Sequence, residues 1–219
     1  MDTWATISAL ATGVGTLVLA VATFAAVRSA NRAARAAERS LLAGLRPLLV
    51  PSRLEDGSQK VFFSDDRHAM IPGGGAVARV GENDDNNGVV YLAASLRNAG
   101  NGIGVLHGWL FYPEDHRGNE HPEPATFARQ TRDLYIPAGD TGFWMGALRD
   151  PADPDRDAAA KAIANREPLT VDLLYSDQVG GQRTISRFTI VPTSQDDEEG
   201  TRWLLSVGRH WYLDREGPG

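Results

Sequence analysis

The chain contains no cysteine. Disulfides, thiolate metal sites and cysteine nucleophiles are thereby excluded, whereas the compartment is not, since proteins on either side of a membrane can do without cysteine. Lysine is nearly missing too: Lys60 and Lys161 stand against 20 arginines. Charge is missing from Thr3 to Val27, and no lysine or arginine precedes Arg28. Positive charge is scarce in the bulk of the chain. Residues 51–219 carry 17 basic and 26 acidic side chains, a balance of −9, against +3 for residues 1–50. An acidic body repels nucleic-acid phosphates, and no basic stripe interleaved with aromatics relieves it, so nucleic acid is not an expected partner.

What is present begins with an anchor. The uncharged run holds Trp4, Ile7, Leu10, Val14, Leu17, Val21, Phe24 and Val27 among Ala, Gly, Ser and Thr. A bilayer core about 30 Å thick takes roughly 20 helical residues, so a span over about 4–27 is long enough, with Trp4 as an interfacial aromatic at one end. A cleaved signal peptide would place positive charge before the apolar run; here Asp2 stands there instead, although "AVATFAA" has the small residues of a cleavage site. The residues favour an uncleaved span with the lipid bilayer as its first partner. Arg28, Arg32, Arg35 and Arg39 follow the span directly. The positive-inside rule then predicts a single-pass protein of the cell membrane, N-terminus outside and C-terminal domain in the cytoplasm.

With Arg46, these arginines form a series spaced 4, 3, 4 and 7 apart, within roughly 60° of one another on a helix. The expectation is one helix over residues 1–46, continuing past the span as an Arg-faced juxtamembrane stalk until Pro47. That face suits anionic headgroups, at about 1 kcal/mol per nearby arginine, or is a solvated face whose only message is topology. Small residues at Ala5, Ala9 and Gly13, and at Ala11 and Gly15, permit close helix packing and homo-oligomers.

Beyond Pro47 the periodicity becomes extended. Short β-branched or aromatic runs at 47–52, 60–64, 76–80, 89–98, 104–112, 133–137, 142–148, 169–176, 183–191 and 202–213 are punctuated by Gly, Pro, Asn and Asp. Gly180 and Gly181 separate two of the best runs, the pattern of a tight hairpin. One helix is expected near 155–166, capped by Asp153 or Asp155. Many strands with almost no helix between them predict a mainly β fold, an antiparallel β-sandwich over 47–214, with a flexible tail at 215–219.

The segment "SLRNAGNGIGVLHGWLFY" (95–112) followed by "LYIPAGDTGFW" (134–144) resembles bacterial immunoglobulin-like domains of the CARDB type. In those, a strand ends in Asn-x-Gly, a Gly-rich turn leads to a second strand, and a Gly-Asp or Gly-Glu turn opens a third. The resemblance implies an immunoglobulin-like sandwich with Asn98, Gly100 and Gly102 as turn-forming residues, alongside Gly180 and Gly181. It also implies an extracellular address, against which the arginines decide. Anchor, Arg/Ala-rich stalk, "RPLLVP" and "GGQRTISRF" together are similar to uncharacterised single-pass membrane proteins of actinobacteria, in keeping with the Ala-, Gly- and Arg-rich composition of a GC-rich genome.

Residues that could carry chemistry have plain structural readings beside them. "GNGIG" (100–104) precedes a strand, not a helix, and lacks the sixth glycine of a dinucleotide loop. His116 and His121 with Glu114, Asp115, Glu120 and Glu123 form an oxygen/nitrogen set for a divalent metal or an exposed polar loop. Asp153, Asp155 and Asp157 have calcium-loop spacing, but Ala158 and Ala164 replace the required Gly and Glu, which favours helix capping. "SQDDEEG" (194–200) reads as an acidic hairpin tip. Ser176-Asp177 with His210 is the best nucleophile set the chain offers. Trp109, Phe111, Phe143, Trp144, Trp203, Trp211 and Tyr212 read as core and edge packing, Trp109 as the interior tryptophan, or as a partner-binding edge. The expected function is a membrane-tethered, non-catalytic module without cofactor that binds an unidentified protein or helps assemble a complex. The alternatives are an anchored hydrolase or metal-dependent enzyme, and an oligomerising membrane effector.

Overall fold

The computed structural model describes residues 2–81, 88–197 and 200–214. The chain divides into two compact units, residues 1–44 and 45–219. The first is a single helix, α1 (Asp2–Gly44). Alanines and aliphatic residues sustain it, and no proline interrupts it before Pro47. Its described side chains are exposed throughout, and Ile7–Leu42 is long and apolar enough to cross a membrane. The hydroxyls inside it are satisfied within the helix: Thr12, Thr16 and Thr23 donate to the carbonyls four residues back at 2.9, 2.8 and 2.7 Å, as an apolar solvent requires.

The second unit is mainly antiparallel β. Its strands are β1 (Leu49–Pro51), β2 (Gln59–Phe62), β3 (His68–Ile71), β4 (Gly75–Gly81), β5 (Val89–Asn98), β6 (Gly104–Tyr112), β7 (Ala128–Arg129), β8 (Tyr135–Ile136), β9 (Thr141–Leu148), β10 (Leu169–Ser176), β11 (Thr184–Asp197) and β12 (Gly200–Tyr212). One sheet runs β1-β5-β4-β12-β11-β10-β6-β7, with β9 joined to β5 and β8 to β6; β2 and β3 form a separate hairpin. The helix α2 (Pro154–Ala164) starts where Asp153 accepts the Asp155 N–H, with Pro154 in the first turn. Two short strands, β3 and β7, were not expected from their sequence. The Gly180–Gly181 connection is a seven-residue loop between Ser176 and Thr184, not a two-residue turn; Asp177 accepts from Gly181 and Gln182 N–H, and Gly180 has φ 81°.

The main core takes Leu92, Leu96 and Trp144 from β5 and β9, Leu173 and Tyr175 from β10, Phe188 from β11 and Trp203 from β12, closed by Ala159 and Ala162 of α2. Trp144, fully buried, and Trp203 are the tryptophans of this core; Trp109 lies partly exposed and edge-on to Trp144 at 5.6 Å. β5 and β10 depart from simple alternation, since nearly all their residues are buried. The second face of β5 (Val89, Tyr91, Ala93) is covered by Val61, Phe63, Ala69 and Ile71 of the β2–β3 hairpin region. The second face of β10 lies under the segment after β6, which bonds down to it through His116 N–H and Thr170 Oγ1 at 3.0 Å.

Asn98 closes β5 and is completely buried. Its Oδ1 accepts from Leu48 N–H at 3.1 Å and Gly100 N–H at 3.0 Å; its Nδ2 donates to Gly102 O at 2.6 Å and Ile136 O at 3.0 Å. Its backbone exchanges two further bonds with the 139–140 turn. Gly100 and Gly102 are needed because residues 45–48 run against them: a Cβ on Gly100 would strike Arg46 O and Leu48 N, and one on Gly102 would strike Leu45 O. Asn98→Ala is expected to cost about 3 kcal/mol, since one buried and three partly buried groups lose their partner, at about 1–3 kcal/mol for a group stranded in the interior. Urea unfolding followed by tryptophan fluorescence checks this; a loss below 1 kcal/mol would contradict it.

Candidate functional site

Three places on the β unit gather polar or open structure. The first is a buried ion pair. Asp172 and Arg187 face each other across the β10–β11 register, with side chains 0% and 5% exposed. Arg187 grips both carboxylate oxygens, Nε at 2.7 Å and Nη2 at 2.6 Å, and its Nη1 donates to Gly118 O at 2.6 Å. Its guanidinium lies 4.9 Å from the Trp211 ring and 5.5 Å from that of Tyr112. All of this fixes the 113–123 segment onto the sheet. The pair is foreshadowed by one lone acid inside the apolar run "LTVDLLYS" and one arginine in "TISRF", opposite each other once the hairpin is counted in register; read run by run, neither stands out.

The second is a set of two serine–histidine pairs, which differ from the expected one. Ser176 and His210 do not meet. Ser176 Oγ sits 2.7 Å from His107 Nε2, at the bulge where β6 slips against β10. The serine hydroxyl donates to the Asp177 carbonyl at 2.7 Å, so the ring nitrogen is the donor and not a base toward it. Tyr175, the neighbour of Ser176, points to the opposite face of the strand. There Leu49 N–H donates to Tyr175 Oη at 3.2 Å, Tyr175 bonds Ser186 Oγ at 2.9 Å, and Ser186 bonds His210 Nδ1 at 2.6 Å. With Leu49 N–H donating to the tyrosine oxygen, one arrangement that satisfies all three groups has Tyr175 donating to Ser186 and Ser186 donating to His210 Nδ1. That arrangement has the polarity of a nucleophile and base, but Ser186 is 0% exposed and offers its oxygen to no substrate. Burial pushes the Tyr175 hydroxyl up to about 12 and lowers the His210 imidazole below its usual value. His107 is lowered by burial and by the nearby Arg183.

The histidines of the 114–123 loop also separate. His116 stacks on Tyr112 at 4.2 Å and 3°, whereas His121 meets the Trp211 edge at 6.3 Å. No cluster of three or more metal-ligating side chains occurs among the described residues. Asp153 caps α2 through the Asp155 N–H. Glu198 and Glu199 of the acidic tip, and residues 215–219, lie outside the described residues.

The third is an open groove of about 700 Å³ between β4 and β12, floored by α2. Sequence reading missed it because it arises where two strands part, which no local pattern records. On α1, Trp4, Arg28, Arg32 and Arg35 are exposed; Arg39 lies within the helix, its side chain outside the described residues. Arg46 does not continue that face. The helix stops at Gly44, and the Arg46 side chain, 9% exposed, pairs with Asp214 at 2.5 Å and lies 4.5 Å from the Tyr212 ring. An ion pair and an aromatic face within the β unit outweigh helix continuation.

Comparison with protein-family models, with curated proteins and with solved structures returns no match. Neither the immunoglobulin-like nor the actinobacterial resemblance gains a counterpart from them. What stands of both is one apolar N-terminal helix and a β-rich unit.

Asp172→Ala is expected to cost about 3–5 kcal/mol, because Arg187 is left buried without its counter-charge, while Asp172→Leu combined with Arg187→Met recovers most of the loss. Urea midpoints of the single and double variants check this. The lowered His210 fixes the sign of a pH effect. The unfolded chain takes up a proton near the usual histidine value of about 6.5, which the folded state resists. Stability is therefore full above that value and falls as pH drops through it toward the folded value. His210→Asn keeps an acceptor for Ser186 and does not titrate; its stability between pH 7 and 5 is expected to fall less steeply than that of the parent. Equal slopes in urea titrations would contradict it.

Proposed function

We propose that this chain is a membrane-tethered, non-catalytic β-sandwich that binds another protein, or helps assemble a membrane complex, at the inner face of the cell membrane. The observation that carries the reading is the joining of two features in one chain. An exposed apolar helix, Ile7–Leu42, is long enough to span, and the β unit that follows opens an apolar groove at a strand edge. The sandwich reading is supported by the shared core: β4, β5 and β9 on one side and β6, β10, β11 and β12 on the other contribute to a single apolar cluster. The inward orientation is supported by Arg28, Arg32, Arg35 and Arg39, set after the span with no basic side chain before it. The interaction reading is favoured over hydrolysis because Ser186 is sealed from solvent and the Ser176 proton is held by a backbone carbonyl.

The absence of cysteine makes orientation directly measurable. Val179, 79% exposed in the β10–β11 loop, is replaced by cysteine, and intact cells are treated with a membrane-impermeant maleimide. Labelling is expected only after lysis. Labelling of intact cells would overturn the inner-face assignment.

A further inference from the structure

β4 is paired fully on one side and briefly on the other. It matches β5 at every residue from Ala76 to Gly81, but β12 only at Gly75 and Ala76. The direction of its hydrogen-bonding groups follows from one bond. Leu205 N–H donates to Gly74 O at 3.0 Å, which makes residues 74 and 205 a hydrogen-bonded pair. In an antiparallel ladder such pairs recur every second residue. The N–H and C=O groups of Ala76, Ala78 and Val80 therefore point away from β5. Trp203 stands opposite Ala76; opposite Ala78 and Val80 there is no strand among the described residues. Native sheet edges are blunted by proline, bulges or inward charges, and Ala78 and Val80 carry none of these.

The space beside this edge is the 700 Å³ groove. Ile163 and Ala164 of α2, Trp203 of β12 and Met70 of β3 give it an apolar lining. The charged side chains that line it, among the described residues, are Arg79 and Arg202. Arg79 donates to His68 O; Arg202, half-buried, lines the groove from β12. A positive lining on a body whose balance is −9 is complementary to an acidic ligand. Backbone groups in extended geometry that face no strand among the described residues are complementary to an extended chain.

We propose that the groove receives an extended acidic segment of a partner polypeptide, added as a strand to β4 at Ala78 and Val80, with apolar side chains on Ile163 and Trp203 and a carboxylate on Arg202. This rests on the reading of the β unit as an interaction module and names the partner's chemistry. Two backbone residues provide up to four main-chain hydrogen bonds, and every second side chain of the added strand faces the α2 wall.

The test uses the full chain in detergent micelles and two fluorescein-labelled peptides, Glu-Val-Thr-Val-Glu-Val-Thr-Glu and its counterpart with Lys for Glu, read by fluorescence anisotropy. The acidic peptide is expected to bind at least tenfold more tightly than the basic one. Arg202→Glu is expected to abolish or reverse that preference. Val80→Pro removes the N–H that faces the groove and none of the β4–β5 ladder, and is expected to weaken the acidic peptide at least tenfold. Ala164→Trp fills the groove from α2 and alters no residue of either strand; it provides the same test should the proline variant melt early. Equal affinity for the two peptides, binding unchanged by Arg202→Glu and Ala164→Trp, or no binding of either peptide would overturn the proposal. The maleimide result is independent of this one: a β unit protected in intact cells but indifferent to both peptides sinks the groove and leaves the inner-face reading in place.

Discussion

A single buried amide holds the β unit's framework in register. Asn98 is an acceptor for Leu48, just ahead of β1, and for its own turn, a donor to the turn and to β8, and its backbone secures the loop into β9. Only asparagine and glutamine offer two donors and two acceptors in one plane, and asparagine holds them one methylene closer to its own backbone, so the site specifies asparagine as tightly as a cavity specifies a volume. Around it the chain crosses itself: residues 45–48 press onto Gly100 and Gly102 closely enough that no side chain fits there. The entry of the chain into the β unit, the first long turn and the start of β9 are thus one cooperative element.

Burial on both faces is the second organising constraint. β5 and β10 are covered twice, β5 by the β2–β3 hairpin region and β10 by the segment after β6. Doubly covered strands need a reason for any polar atom they keep. On β10, Thr170 accepts from His116, Asp172 binds Arg187, and Ser176 bonds His107 and a carbonyl. Each such contact attaches a loop or neighbouring strand to the sheet. Polar residues in this core act as fasteners for its covering segments.

Much of this was legible in the residues. The change of period at Pro47, the runs at 89–98, 104–112 and 169–176, and the capped helix after Asp153 read correctly because each is set by local pattern. The importance of Asn98, Gly100 and Gly102 was visible as a turn motif, although six hydrogen bonds through one residue were not. Pairing across distance was illegible. Ser176 meets His107 and not His210 because successive strand residues face opposite ways, and Arg46 leaves the helical series because Asp214 holds it. The groove was hidden for the same reason, since it depends on β12 parting from β4 after two residues.

Arg46 and Asp214 lie near the start and the end of the described β unit, and they are bonded to each other. Tension applied between the two ends of this unit would load that ion pair first, then the three-residue ladder between β1 and β5 and, through the buried Leu49, the main core. The ion pair, the β1 ladder and the Leu48–Asn98 bond would therefore share such a load, and losing them would uncover Leu49 in the main core. Anything fused after Asp214 would emerge beside the point where the chain enters.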